Sequence, residues 1–162
     1  MSLSQDWGFG RRVKDRKRSA QRMTGHGFDL PPTAPPDVLV RRNALAEDTC
    51  RALAQAGIPV FRGDLGDKSE GMPGAEVHVD PLVVGGVLVE WNTEAELTTA
   101  AVDLLAGGVD PSDLPHAIRH HETVHVCMRD ALLGILTSAG FQAEKADGHT
   151  YGTAVFVTGF QT

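Results

Sequence analysis

Residues 116–130, HAIRHHETVHVCMRD, hold four of the chain's seven histidines, and residues 121–125 within them read H-E-T-V-H. Two imidazoles four residues apart on a helix lie on one face, where both can ligate a single zinc ion. A carboxylate beside the first histidine is suited to act as general base toward a metal-bound water. The pattern therefore makes His121 and His125 candidate metal ligands and Glu122 a candidate catalytic residue.

Over about ten residues, 118–127, this stretch resembles the zincin metallopeptidases, which carry H-E-x-x-H on a helix. Thr123, Val124 and Val126 are uncharged, as the wider zincin pattern prefers, whereas Arg119 stands where an uncharged residue is usual. The resemblance implies a zinc-dependent hydrolase in which the two histidines hold the metal.

A zincin also needs a third metal ligand. The metzincin continuation would place Gly and His where this chain has Met128 and Ala131, so that subfamily is excluded by pattern. The gluzincin type takes a glutamate from a later helix, and the only glutamate after the motif is Glu144, which we predict to lie on a strand. Glu144 and His149 are the candidates for the third ligand that the resemblance leaves.

Helical spacing also supports an interpretation without metal. At about 100° per residue, His121 and His125 fall on the broad apolar face of the helix, while His116 and His120 point toward solvent. The inner pair would then be neutral core histidines, each hydrogen-bonded to a backbone carbonyl or a carboxylate. A short motif with two free positions arises easily in a histidine-rich chain. The residues thus favour a non-enzymatic accessory or interaction module without a cofactor, with a zinc-dependent metallopeptidase as the alternative.

The elements that position this helix are predicted from hydrophobic periodicity and from glycine and proline positions. They follow in the order α-β-β-β-α-α-β-β, with Gly57, Gly107 and Gly140 closing the three helices. Grouped rather than alternating strands predict an α+β fold with one mostly antiparallel sheet of about five strands. The segments AEVHVD and VVGGVLVEWN are expected to pair as a hairpin.

Helix starts are predicted from capping residues. Thr93 followed by Glu96 has the spacing of a capping box, and Asp113 with Pro115 marks the start of the long helix. Pro81 after the strand 76–80 is compatible with an edge strand. Edge pairing of that strand is one route to a homo-oligomer.

Two regions are expected along the chain. Residues 1–36 end in the proline-rich DLPPTAPPD and are predicted to be a flexible tail, and residues 37–162 form a single α+β domain. Residues 1–30 hold seven basic and three acidic residues, so a basic arm precedes an acidic body. The arm, residues 11–22, could contact nucleic acid or an anionic surface, but a basic run without interleaved aromatic residues favours a solvated tail.

Composition excludes several classes of protein. No apolar run approaches the ~20 residues of a membrane span, and the polar, basic start lacks the apolar core of a signal peptide. Two distant cysteines give no disulfide framework, which favours a cytoplasmic protein. The abundance of Ala, Gly, Asp, Arg and Val resembles small proteins of high-GC actinobacteria. A protein partner or a homo-oligomer is compatible with all of these features, and none of them selects one.

Overall fold

The computed structural model describes residues 31–65 and 71–162, and the region from Pro31 to Thr162 forms one compact unit. The α+β class and the predicted order of elements are confirmed, with one additional short helix between the last two strands. The elements are α1 Pro36–Gln55, β1 Val60–Arg62, β2 Gly74–Val79, β3 Val87–Asn92, α2 Ala95–Ala106, α3 His116–Ser138, β4 Phe141–Lys145, α4 Gly148–Tyr151 and β5 Val155–Phe160.

The five strands form one sheet in the order β1-β2-β3-β5-β4. The sheet is mixed rather than mostly antiparallel, because β1 runs parallel to β2 while the other three pairings are antiparallel. A long connection follows β1, and β2 then starts at the same end of the sheet as β1. A parallel pair requires such a connection. A tight turn there would have given the antiparallel pairing that the sequence suggested.

The predicted hairpin is confirmed by the pairing of β2 with β3, in which Val77 lies opposite Val89. β2 is an interior strand between β1 and β3, so the predicted edge pairing of residues 76–80 is wrong. Pro81 lies two residues after Val79, the last residue of β2, and removes no hydrogen bond from the ladder, which explains why it does not mark an edge. β1 and β4 are the edge strands of this sheet.

The core lies between one face of the sheet and the helices α1 and α3. Alternate residues of the central strands point into it, as the two-residue period of a strand requires. α2 packs against α3 instead of the sheet. The largest fully buried side chains of this cluster are Leu53, Val77, Val87, Val89, Leu132, Leu136, Val155 and Val157, and Phe141 is buried beside them.

Helix ends follow the glycines, but two helix starts differ from the prediction. Gly57 and Gly140 have φ of 81° and 91°, the left-handed conformation expected just past a helix. α3 begins at His116 with Pro115 as its N-cap, and the amide of Asp113 donates to Asp110 instead. The predicted capping box is also wrong.

The residue that caps α2 is Glu94, which stands one position after the predicted cap. The hydroxyl groups of Thr93 and Thr98 lie 2.7 Å apart and form a hydrogen bond with each other. Both threonines line a cavity together with the motif histidines, as described below.

A buried arginine that the sequence gave no reason to single out fixes α1 on β1. The guanidinium of Arg62 donates two hydrogen bonds to Asp64, one to Glu47 and one to Asn43, at 2.7–2.9 Å. The hydrogen bonds from Arg62 hold the pKa of Asp64 below its usual range.

Within the described residues, no helix is long and apolar enough to cross a membrane.

Candidate metal centre

The H-E-x-x-H residues lie in the N-terminal half of α3, a helix that packs against both the sheet and α2. His121 and His125 are half-buried on the inner face of the helix, as its spacing predicted, and Glu122 is exposed beside them. His116 and His120 are exposed on the opposite face, also as predicted. Ile118 of this half is buried as well, whereas Leu132 and Leu136 of the other half belong to the core cluster against the sheet.

The two inner imidazoles converge on a common point. Their Nε2 atoms are 3.2 Å apart, and the ring centroids are 4.4 Å apart with the planes tilted by 49°. Two nitrogen ligands of a tetrahedral zinc ion, each at 2.0–2.1 Å from the metal, are separated by about 3.3 Å. The observed separation of the two Nε2 atoms is therefore compatible with two ligands of one ion.

Two cavities flank the histidine pair, and both rings line both of them. The first, of about 400 Å³, lies toward the start of α2 and has a polar wall of Asn92, Thr93, Thr98 and Thr99. The second, of about 520 Å³, is lined by Glu122, Val126, Gly152 and Thr153. An ion between the rings would thus have open positions on two sides.

Burial and the neighbouring ring disfavour the charged form of His125. Partial burial, reinforced by the charge of His121, lowers the pKa of His125 below its ordinary value. Zinc binds the neutral imidazole, so a lowered pKa favours metal binding at neutral pH.

The predicted alternative, two packed core histidines, differs from this arrangement. Among the described residues, the only hydrogen bond of either ring is the one between them, and no carbonyl or carboxylate accepts from His121 or His125. Buried histidines without a metal normally satisfy each ring nitrogen separately. A half-buried pair that opens onto two cavities and bonds only to itself differs from a sealed core.

The third ligand is the missing part of a zincin site. In residues 31–65 and 71–162, no three His, Cys, Asp or Glu side chains are placed to hold one ion. Glu144 lies on β4, as predicted, and His149 lies on α4; both are exposed, and neither lines a cavity beside the histidines. Residues 66–70, which precede the cavity-lining Gly71, lie outside the described chain.

Sequence reasoning missed the polar wall of the first cavity. The segment Asn92-Thr93 and the hydroxyl residues Thr98 and Thr99 face the histidines across the groove between α2 and α3. Their signal in the sequence was the threonine-rich WNTEAELTT, which we interpreted only as a helix start. The side chain of Asn92 is held by a 2.7 Å hydrogen bond to Glu76.

Comparison of the chain with protein-family models, with curated proteins and with solved structures finds no match. The predicted tail and its basic arm lie outside the described residues, apart from positions 31–36. What the site binds is therefore inferred from its own geometry.

Proposed function

We propose that this protein is an accessory module that binds one divalent transition-metal ion between His121 and His125, with zinc as the reference metal. The single observation that carries the proposal is the 3.2 Å separation of the two Nε2 atoms, which matches two ligands of one ion. The lowered pKa of His125 supports it, because the ligand is then unprotonated at neutral pH.

The donor set narrows the class of metal. Imidazole nitrogen suits zinc, copper and nickel, whereas magnesium and calcium prefer oxygen ligands. We expect moderate affinity, for two reasons. First, the described residues supply only two protein ligands. Second, no described residue accepts a hydrogen bond from the Nδ1 atom of either histidine. Loss of such an acceptor typically lowers metal affinity by about 10–100-fold.

We favour binding without hydrolysis because catalytic zinc sites use three protein ligands and one water. An ion held by two histidines keeps further positions for water or for a ligand brought by a partner. In this proposal the metal is a structural or regulatory element of the module, and the module itself acts through a protein partner.

The test is the metal content of untagged protein purified without chelator, compared with His121→Ala and His125→Ala. We expect about one zinc per chain in the parent and none in either variant, since a single imidazole binds too weakly to survive purification. His149→Ala is the matched control, because His149 is exposed and has no histidine four residues away. Its metal content should equal that of the parent.

Loss of metal through misfolding must be separated from loss of ligands. Circular dichroism and thermal unfolding of the metal-free parent give the reference, and both alanine variants should unfold cooperatively near it. Folded variants that keep the parent's zinc would contradict the proposal, and so would a parent that carries no metal and takes up none on titration.

A second candidate is zinc-dependent hydrolysis, favoured by one observation: Glu122 lines the same cavity as both histidines. The carboxylate would then act as general base toward a metal-bound water. A screen of the zinc-loaded protein with unstructured polypeptide substrates tests this candidate. Cleavage that is lost in Glu122→Gln, with zinc content unchanged, would support it, and zinc-loaded protein without cleavage would leave metal binding alone.

A further inference from the structure

The outer face of α3 carries a second pair of histidines that the proposed metal centre does not use. His116 and His120 are four residues apart, and both are exposed. Their rings are stacked, with centroids 5.9 Å apart and planes inclined by 19°. Among the described residues, neither side chain makes a hydrogen bond or an ion pair, so both rings are available to an external ligand.

We propose that His116 and His120 form a separate, solvent-exposed chelate for a divalent transition-metal ion. The spacing is the same as that of the inner pair, because side chains four residues apart on a helix are neighbours on its surface. The inner pair shows that this spacing on α3 brings two Nε2 atoms to 3.2 Å. Exposed rings reach that arrangement by rotation between staggered rotamers, with no packing to disturb.

The expected ligand is copper(II), followed by nickel(II) and zinc(II). Neutral imidazole suits all three metals, and copper(II) is the strongest binder in the general order of divalent first-row metals. The ion would lie near the N-terminus of α3, where the helix dipole disfavours a cation. We therefore expect weaker binding than at the inner pair.

The outer site would differ from the inner one in what completes its coordination. Because both rings face solvent, the remaining positions of the metal point outward, where a histidine or carboxylate of another molecule can occupy them. The inner pair instead opens onto the two cavities beside α2 and α4. The outer pair is thus a metal-dependent attachment point, and its existence does not depend on the proposed inner centre.

Four proteins separate the two sites: the untagged parent, His116→Ala/His120→Ala, His121→Ala/His125→Ala, and the variant with all four substitutions. The probe is copper(II) alone, followed by calorimetric titration and by electron paramagnetic resonance, which reports nitrogen ligands. We expect the variant that lacks only the inner pair to bind copper at least about tenfold more tightly than the fourfold variant, as two linked ligands do relative to one. All remaining histidines outside α3 contribute equally to both proteins.

Equal copper affinity of those two variants would overturn the inference. The single variants His116→Ala and His120→Ala, each in the background that lacks the inner pair, supply a second criterion. Each should lose as much affinity as the double substitution, and retention of full affinity by either one would show a lone histidine instead of a chelate. The inner centre is judged separately, by the parent against His121→Ala/His125→Ala, so the two proposals fail independently.

Discussion

The inner histidine pair behaves as a coupled unit. The two Nε2 atoms share one hydrogen bond, so one ring donates and the other accepts. The ring of His125 is partly buried beside that of His121. Desolvation, and then the charge of His121, oppose the charged form and lower the pKa of His125.

The lowered pKa predicts that the metal-free protein loses stability in mild acid. The unfolded chain takes up the proton near the ordinary histidine pKa of about 6.5, whereas the folded chain takes it up only at lower pH. The unfolding free energy should thus fall as the pH falls through about 6.5. Urea denaturation at about pH 7.5 and about pH 5.5 measures this difference.

The histidine responsible is identified by substitution. His125→Gln should reduce the loss of stability between the two pH values, because the titrating group is gone. His149→Gln, at an exposed position, should leave the loss as large as in the parent. An equal pH dependence in His125→Gln and the parent would assign the effect to other groups.

The side chain of Arg62 donates four hydrogen bonds and is only 7% exposed. Removing it in Arg62→Ala leaves Asp64 and Asn43 without their partner, and we expect a loss of about 1–3 kcal/mol in the free energy of unfolding. Arg51→Ala is the matched control, because Arg51 and Asp48 form an exposed pair, for which about 0–1 kcal/mol is typical. Chemical denaturation of both variants gives the comparison, and equal losses would contradict this role for Arg62.

At the scale of elements, the two halves of α3 carry different kinds of residue. Its C-terminal half supplies Leu132 and Leu136 to the sheet core, and its N-terminal half carries both histidine pairs. α2 has one fully buried apolar residue, Ala101, and exposes Val102 by 55% and Leu105 by 52%. The core cluster against the sheet thus uses one half of α3, and in the other half Ile118 is the buried side chain beside the histidines.

This division predicts different costs for two similar substitutions. Leu132→Ala should lower the free energy of unfolding by about 2–5 kcal/mol, since it opens a cavity in the core. Leu105→Ala on α2 should change it by no more than about 0.5 kcal/mol, because the side chain is already half in solvent. Thermal or urea unfolding measures both, and a costly Leu105→Ala would reveal packing on α2 that the described residues do not supply.

At the scale of the whole molecule, both edges of the sheet are poorly suited to pairing with another copy. β1 has only three residues, and β4 carries Glu144 and Lys145 beside a register shift between Gln142 and Ala143. Short strands, charges and bulges are the usual means of preventing edge-to-edge association.

We therefore expect the metal-free protein to be monomeric. Sedimentation velocity over a wide range of protein concentrations measures this directly. A dimer that persists without metal, and that dissociates when a proline replaces Ala143 on β4, would contradict the expectation. Association that requires copper would instead point to the exposed pair His116 and His120.

The sequence by itself determined the segments and their types. Periodicity of two or 3.6 residues, and glycines that end helices at positions 57 and 140, are local signals that survive without knowledge of the fold. They predicted the α+β class, the hairpin of β2 and β3, and the inward orientation of His121 and His125. The helix starts predicted at Asp113 and Thr93 were wrong because neither helix uses a side-chain cap: the N-cap residues are Pro115 and Glu94, and neither side chain makes a capping hydrogen bond.

Only the tertiary structure decided how these segments meet. The order β1-β2-β3-β5-β4, the parallel pairing of β1 and the anchoring of Arg62 join residues far apart in the chain. So do the two cavities, which exist because α2 packs on α3 and the chain after α4 returns beside it. A local pattern sets which way a side chain points from its own helix. Which residues lie opposite that side chain depends on packing between segments far apart in the chain. No short stretch of sequence contains that information.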